Sequence, residues 1–439
     1  MHPPALHSAA LPDKRPAPGD PYAPWPGQDA MTALHPLPPR RASILEGRTI
    51  LQIIPALETG GAERTAVDVA EALARAGARA LVATEGGRLV GELQAKGGEW
   101  IPFPAASKNP LAMALNVARL ARLCRAEGVH VLHARSRAPA WVAMGAARAL
   151  RIPFVTTFHG SYSGRSPVKL LYNSVMARGD AVIANSHYTA GLIERLHPAA
   201  QGRVRVVHRG TDLERFSPGA VAPERVANLR RAWGVGPEER IVLLAARLTG
   251  WKGQSVLIEA ARLLVADGLR DAAFVLAGDA QGRERYTREL DALVRQAGLA
   301  GIVRRVGHCE DMPAALLAAA VVAVPSTQPE AFGRAAVEAQ AMGVPVVVSD
   351  LGAVPETVLA PPGVEPGRRT GWRVPPGDAR ALGDAVQAAL GLGGAARAAL
   401  SERARAHVEA HFSLERMIAG TLGVYAAVLE ADPRGRGGR

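Results

Sequence analysis

Short apolar runs alternate with helix-patterned segments along most of this chain, in two separate series. "TILQIIPAL" (Thr49–Leu57) opens the first. A run that is apolar at nearly every position suits a strand covered on both faces, as in a parallel sheet. "GGAERTAVDVAEALARAGA" follows, with Ala66, Val69, Ala70 and Leu73 at helical spacing and Gly77 placed to end the helix. The alternation continues through "RALVATE", "EWIPFP", "VHVLHAR", "PFVTTFH", "DAVIANS" and "VRVVHRG". The segment "TDLERFSPGAVAPERVANLRRAWGVGPEER" interrupts it, punctuated by Pro218, Pro223 and Pro237. A second series then runs through "RIVLLAARL", "AAFVLAGD", "GIVRRVGH", "VVAVPS" and "VPVVVSD". Strands alternating with helices imply parallel βαβ units. The expected organisation is a disordered leader over 1–45, a first α/β domain over 46–220 and a linker over 221–237. A second α/β domain over 238–412, a helix over 413–432 and a disordered tail over 433–439 complete it. Two doubly wound domains would face each other across a cleft, and such sheets bind ligands at the carboxyl ends of their strands.

Composition sets the outer bounds. At 439 residues, 48% hydrophobic and 21% charged, the chain has enough apolar material for two cores without staples. Cys124 and Cys309 lie in separate halves, which supports neither a disulfide framework nor a zinc site and suits a reducing, cytoplasmic setting. The formal charge is +12, of which +10 falls within residues 41–220. Basic surface attracts anionic lipid, nucleic acid or a phosphorylated substrate, and an Arg-rich coding bias gives the same balance. Nucleic acid is disfavoured, because aromatics are only 4% and no basic cluster is interleaved with them. No apolar stretch reaches the roughly 18–20 residues of a transmembrane helix, and the N-terminus lacks a signal-peptide core. "SPVKLLYNSVMAR" (Ser166–Arg178) mixes Lys169 and Arg178 with apolar residues, as a packed helix or one lying on an anionic membrane would.

Chemistry-bearing residues gather at the predicted strand ends. In "ETGGAER" (Glu58–Arg64), Gly60 and Gly61 lead into a helix start whose free amides favour an anion, with Glu63 as a first-turn cap. The loop is not G-x-G-x-x-G, and no Walker A pattern occurs. In "ARLTGWKGQ", Arg247 and Lys252 are two cations able to hold a diphosphate, or simply a solvated pair. "TQPEAFGRAAVEAQAMG" carries Glu330 in a loop and Glu338 two turns into a helix, roughly 6–8 Å further along. That spacing suits one carboxylate on a hexose and the other on a ribose, with the amides of Phe332, Gly333 and Arg334 turned to the phosphates between.

Glu330-x7-Glu338, Arg247 with Lys252, "GGAE" and "GTDLERFSP" together resemble the retaining GT-B glycosyltransferases of family 4, over roughly residues 48–430. The resemblance implies transfer of a sugar from a nucleotide-sugar donor with its anomeric configuration retained. By it, Glu330 contacts the donor sugar, Glu338 the ribose, Arg247 and Lys252 the diphosphate, and Gly61 faces the phosphates across the cleft. His159, ending "TTFH", would touch the donor sugar from the acceptor side. Many relatives have Asn-Gly where this chain has Arg209-Gly210, so Arg209 is either an acceptor-side candidate for an anionic acceptor or a brace of the domain junction; Arg135 and Arg137 of "HARSRAPAW" are further acceptor-side candidates. His133 in that stretch is as readily structural.

No two aspartates stand two positions apart, so a metal between carboxylates and diphosphate is not indicated and no cofactor is expected. The cations and the helix start would stabilise the departing diphosphate instead. UDP-hexose is the first expected donor and GDP-mannose the second. A glycan or lipid-linked acceptor of cell-envelope polysaccharide or lipopolysaccharide synthesis is the expected partner, at the inner face of the cytoplasmic membrane. The competing reading is a non-catalytic GT-B module that only binds a nucleotide sugar.

Overall fold

The structure is a computed structural model, and it describes residues 44–58, 60–160 and 166–432. Nearly all of the expected leader and the whole expected tail lie outside those residues. The described chain forms two lobes, each a parallel sheet with helices on both faces. The first sheet has seven strands, β1 (Thr49–Ile53), β2 (Arg79–Thr84), β3 (Glu99–Pro102), β4 (Val129–Ala134), β5 (Phe154–Phe158), β6 (Ala181–Ala184) and β7 (Val204–Val206). Their spatial order is β3-β2-β1-β4-β5-β6-β7. The second has six, β8 (Arg240–Ala245), β9 (Ala272–Ala277), β10 (Val303–Gly307), β11 (Ala319–Val324), β12 (Val346–Ser349) and β13 (Trp372–Val374), in the order β10-β9-β8-β11-β12-β13. All pairings are parallel.

The continuous apolar runs explain the burial. Every residue of β1, β5, β6, β9 and β12 is buried. Gln52 shows how a polar residue survives there: its Nε2 donates to the Ala66 carbonyl at 3.0 Å, and its Oε1 accepts from Arg135 Nε at 2.6 Å. A buried amide left unpaired would cost about 1–3 kcal/mol, so both ends are used.

Two parts of the expected organisation change. The stretch 221–237 is not a bare linker: it carries the helix Pro223–Ala232, and Val221, Trp233 and Val235 are buried in the second lobe's core beside Phe216. Prolines mark its turns and helix start rather than a flexible joint, because proline fits the first helical position. The terminal helix Leu414–Ala431 returns to the first lobe, where Met417, Leu422, Tyr425 and Val428 pack with Leu45, Leu73 and Ile183. The chain therefore crosses between lobes twice. The crossings are stitched together, Thr211 N donating to the Phe412 carbonyl at 2.8 Å and Leu414 N to the Thr211 carbonyl at 3.0 Å.

The loop that presents Lys252 depends on Gly253. This residue has φ +76°, and a Cβ there would lie 1.8 Å from the Pro325 carbonyl oxygen. Gly253→Ala should destabilise the chain by about 2–4 kcal/mol, from left-handed strain plus a backbone clash. Differential scanning calorimetry should show a fall of roughly 5–10 °C in Tm. An unchanged melting curve would mean the loop is free to re-form elsewhere.

Candidate active site in the cleft

The carboxyl ends of β8 and β11 place the acid–cation constellation. The loop after β8 leads through Trp251 and Lys252 to the helix Gln254–Ala266. Lys252 Nζ meets Glu330 Oε1 at 2.5 Å, with side chains only 17% and 11% exposed. Ser326 Oγ donates to the same oxygen at 2.6 Å, and the ammonium lies 4.3 Å from the Trp251 ring centroid. The Glu330 backbone is fixed as well, its carbonyl accepting from Ala353 N at 2.9 Å. Arg247, at the end of β8, is exposed and takes no side-chain partner among the described residues.

Glu338 stands on the helix Arg334–Ala341, whose buried Ala336 and Ala339 let it approach the sheet. Its carboxylate forms an ion pair with Arg334, Oε1 to Nε at 3.0 Å. Burial pushes the Glu338 carboxyl above the usual range, and Arg334, Arg215 and Arg209 oppose that shift. Gly333 precedes the helix at φ +85°. The amides of Phe332, Gly333 and Arg334 donate to no protein acceptor among the described residues. The Phe332 side chain itself is buried against Phe412 and His208, with centroid separations of 5.6 and 6.4 Å.

The first lobe closes the other side. Gly60 N donates to Glu63 Oε2 at 2.6 Å, fixing the start of the helix Gly61–Arg75. Gly61 lies against two guanidinium groups: a Cβ there would sit 2.7 Å from Arg209 Nη2 and 2.8 Å from Arg334 Nη1. Gly61 therefore faces the Arg334–Glu338 end of the second lobe. His159 follows β5, with its Nε2 buried and unpaired. Burial, with Arg209 and Arg135 nearby, holds its imidazole well below the usual range, so it is neutral.

Two of the acceptor-side arginines are placed differently. Arg135 is 3% exposed and braces the interior through Gln52, so it offers no open cleft surface. Arg137 Nη1 donates to Asn173 Oδ1 at 2.9 Å and its guanidinium lies over the Tyr172 ring, joining two helices. A strand-end position made both look accessible, but Gln52 and Asn173 hold the two side chains within the first lobe. His133 is likewise internal, its ring nitrogens 2.6 Å from Tyr425 Oη and 2.8 Å from Thr157 Oγ1.

The lobes are also joined by a contact that the spacing of motifs does not reveal. Glu356, in the second lobe, accepts from His187 N at 2.8 Å and from Tyr188 N at 2.7 Å, at the start of the first-lobe helix His187–Leu196. His208 Nε2 lies 3.0 Å from the same carboxylate. Beside it, Ser186 Oγ donates to the Ala331 carbonyl at 2.8 Å, one residue from Glu330. A carboxylate at a helix start is stabilised by two free amides and the helix dipole together.

Comparison with known proteins now bears on this geometry. The description "Glycosyltransferase Family 4" matches residues 59–215, and "Glycosyl transferases group 1" matches residues 226–407. A solved glycosyltransferase from Rickettsia africae is 31% identical, with a TM-score of 0.79 over 88% of this chain and 99% of that one. The chain belongs to the group 1 glycosyltransferases of family 4. The GT-B arrangement of two facing Rossmann-like lobes is thereby established. The Anabaena protein HepE, solved with UDP, is 25% identical with a TM-score of 0.72, over 87% of this chain and 100% of that one. A D-inositol 3-phosphate glycosyltransferase of Mycolicibacterium gilvum is 34% identical over 280 residues, covering 58% of this chain and 60% of that protein. The chain thus spans about three fifths of the length of such curated relatives.

Proposed function

We propose that the protein moves a hexosyl unit from a nucleoside-diphosphate sugar to an acceptor hydroxyl, with retention at the anomeric carbon. The observation that carries this is the buried Lys252–Glu330 pair, set one helix start away from Glu338, whose partner Arg334 meets Gly61. Glu330 grips the sugar hydroxyls, Glu338 the ribose, and Arg247, Lys252 and the free amides of 332–334 the diphosphate. UDP-hexose is the first donor, supported by the UDP held in the HepE structure, and GDP-mannose is the second. The curated relatives are named for inositol 3-phosphate, which points to a phosphorylated cyclitol beside the glycan or lipid-linked acceptor of envelope synthesis.

In the step itself, the bond from the anomeric carbon to the phosphate oxygen breaks and the acceptor oxygen bonds to the same face. The acceptor proton passes to the departing phosphate oxygen, so no protein base is consumed. Arg247, Lys252 and the helix start hold the growing negative charge, and closure of the lobes keeps water out. Neutral His159 lines the first-lobe side and donates no charge to the reacting centre. No divalent ion is required in this scheme, so chelation with EDTA should leave turnover intact.

A thermal-shift screen of nucleoside diphosphates and their sugars, followed by donor consumption with the best binder, tests the proposal. Stabilisation by at least one nucleotide sugar, with sugar release or transfer, is the expected result. Failure of every such donor to bind would refute it.

The first lobe supports a membrane-facing setting. Leu111 and Leu115 on the helix Pro110–Ala126, and Val168 and Leu171 on the helix Pro167–Ser174, are 71%, 55%, 77% and 59% exposed. They lie in the half that holds most of the positive charge. No helix of the described residues is long and apolar enough to cross a bilayer. Flotation with vesicles containing anionic lipid should recover the protein, and Leu111→Glu with Leu115→Glu should abolish recovery. Equal absence from anionic and neutral vesicles would end the membrane reading.

A further inference from the structure

Resting on the transferase reading, we propose that the cleft holds a second oxyanion seat, centred on Arg209 at the start of the Gly61–Arg75 helix. It takes a phosphate or carboxylate that one of the two substrates carries in addition to the donor diphosphate.

Three observations converge there. The first is convergence of charge: the guanidinium groups of Arg209 and Arg334 both crowd Gly61, within 2.7 and 2.8 Å of where its Cβ would be. Two like charges gathered at one point repel, and an anion between them would relieve that repulsion. The second is the lack of a partner. Arg334 is engaged by Glu338, and Lys252 by Glu330. Arg209 is half-buried and takes no hydrogen bond or ion pair among the described residues. Arg247 and Lys252 serve the diphosphate, and Arg209 is left over. The burial of Arg209 and its proximity to Arg334 lower its pKa to about 10, so it stays charged at neutral pH.

The third observation is a small cavity that Arg209 itself lines. Ile183, Val207 and Met417 supply an apolar wall, and Arg135, His159 and Asn185 share the lining of its space of about 20 Å³, enough for roughly one water. Arg135 Nη2, His159 Nε2, and Asn185 Nδ2 and Oδ1 are buried in it with no protein partner. Arg135 and Asn185 are each only 3% exposed. Buried polar atoms left without a hydrogen bond are costly. A cluster of them beside an unpaired guanidinium, at the start of a 15-residue helix, is an arrangement that an oxyanion and its bridging water would satisfy. The seat belongs to the first lobe and the lobe crossing, whereas Arg247 and Lys252 belong to the second lobe.

Two sources of the anion are separable: a sugar acid on the donor, or an acidic group on the acceptor. Isothermal titration of the full chain should compare UDP-glucuronate with UDP-glucose, and, with UDP saturating, inositol 1-phosphate with inositol. The expected result is a preference of about 30-fold or more for the acidic member of one pair, since one charged hydrogen-bonded contact contributes that much. The pair that shows it names the source. Arg209→Asn should reduce the preference below about threefold while changing UDP affinity by less than about threefold. Arg209→Lys, which keeps the charge, should restore part of the preference even if the asparagine variant folds poorly. Absence of acid preference in the unaltered chain, alongside normal UDP-sugar binding, would overturn this seat alone. So would an Arg209→Asn loss of UDP affinity as large as that of Lys252→Ala, which would return Arg209 to the diphosphate site. Failure to bind any nucleotide sugar would overturn the transferase reading and the seat together.

Discussion

Lys252→Ala should lower kcat/KM for sugar transfer by about a thousandfold, the scale seen when a preorganised charge-stabilising group is removed from a dry site. The effect has two parts. The ammonium would no longer stabilise the leaving diphosphate, and Glu330 would keep only Ser326 as a partner on its Oε1. An acid freed from its cation swings toward solvent, so the sugar loses its grip as well. Glu330→Gln should cost about a hundredfold or more by the complementary route, because the amide keeps the shape but loses the charge. Since the pair is 17% and 11% exposed, breaking it should also cost about 1–3 kcal/mol of stability. That loss is smaller than the kinetic one, so circular dichroism and steady-state kinetics on the same preparations separate them. Activity within about fivefold of the unaltered chain in either folded variant would remove that residue from the mechanism.

Glu356→Ala should uncouple donor breakdown from transfer. The carboxylate binds two amides and one imidazole of the opposite lobe, and each charged hydrogen bond contributes about 1.5–3 kcal/mol. Its loss should leave the donor bound to the second lobe while the first lobe swings away. Transfer should fall by about 10- to 100-fold, with a larger share of donor hydrolysed by water. Small-angle scattering in the presence of donor should show a larger radius of gyration than for the unaltered chain. Glu356→Gln should be intermediate, since its amide oxygen accepts one bond but carries no charge for the helix start. A variant that transfers normally, with unchanged scattering, would show that closure is held elsewhere.

Much of this architecture is legible in the sequence, for a physical reason. A strand buried on both faces must be apolar at nearly every position, which makes the central strands stand out; the alternating rhythm adds the partly exposed β3, β7 and β10, so twelve of the thirteen strands are legible. The exception, β13, is three residues, Trp372–Val374, at the edge of its sheet and paired with β12. The Glu330–Glu338 spacing is legible because one loop and one helix fix it locally. What stayed hidden is what depends on the other lobe. Glu356 meets His187 across 169 positions, and neither residue sits in a pattern that names the other. Ser326 was nearer to view, four residues before Glu330, yet a serine in a loop has many ordinary uses. Arg135 and Arg137 misled because strand ends usually open into a cleft, whereas here Gln52 and Asn173 draw both side chains inward.

The account turns on Glu338 reading the ribose of a nucleotide held between the lobes. The direct measurement is a double-mutant cycle by isothermal titration: the unaltered chain and Glu338→Ala, each with the preferred nucleoside diphosphate and its 2′-deoxy counterpart. The account predicts that either change alone weakens binding by about tenfold, and that both together cost little more than one, a coupling of about 1–1.5 kcal/mol. Equal affinity of the unaltered chain for the two nucleotides, or fully additive losses, would contradict it.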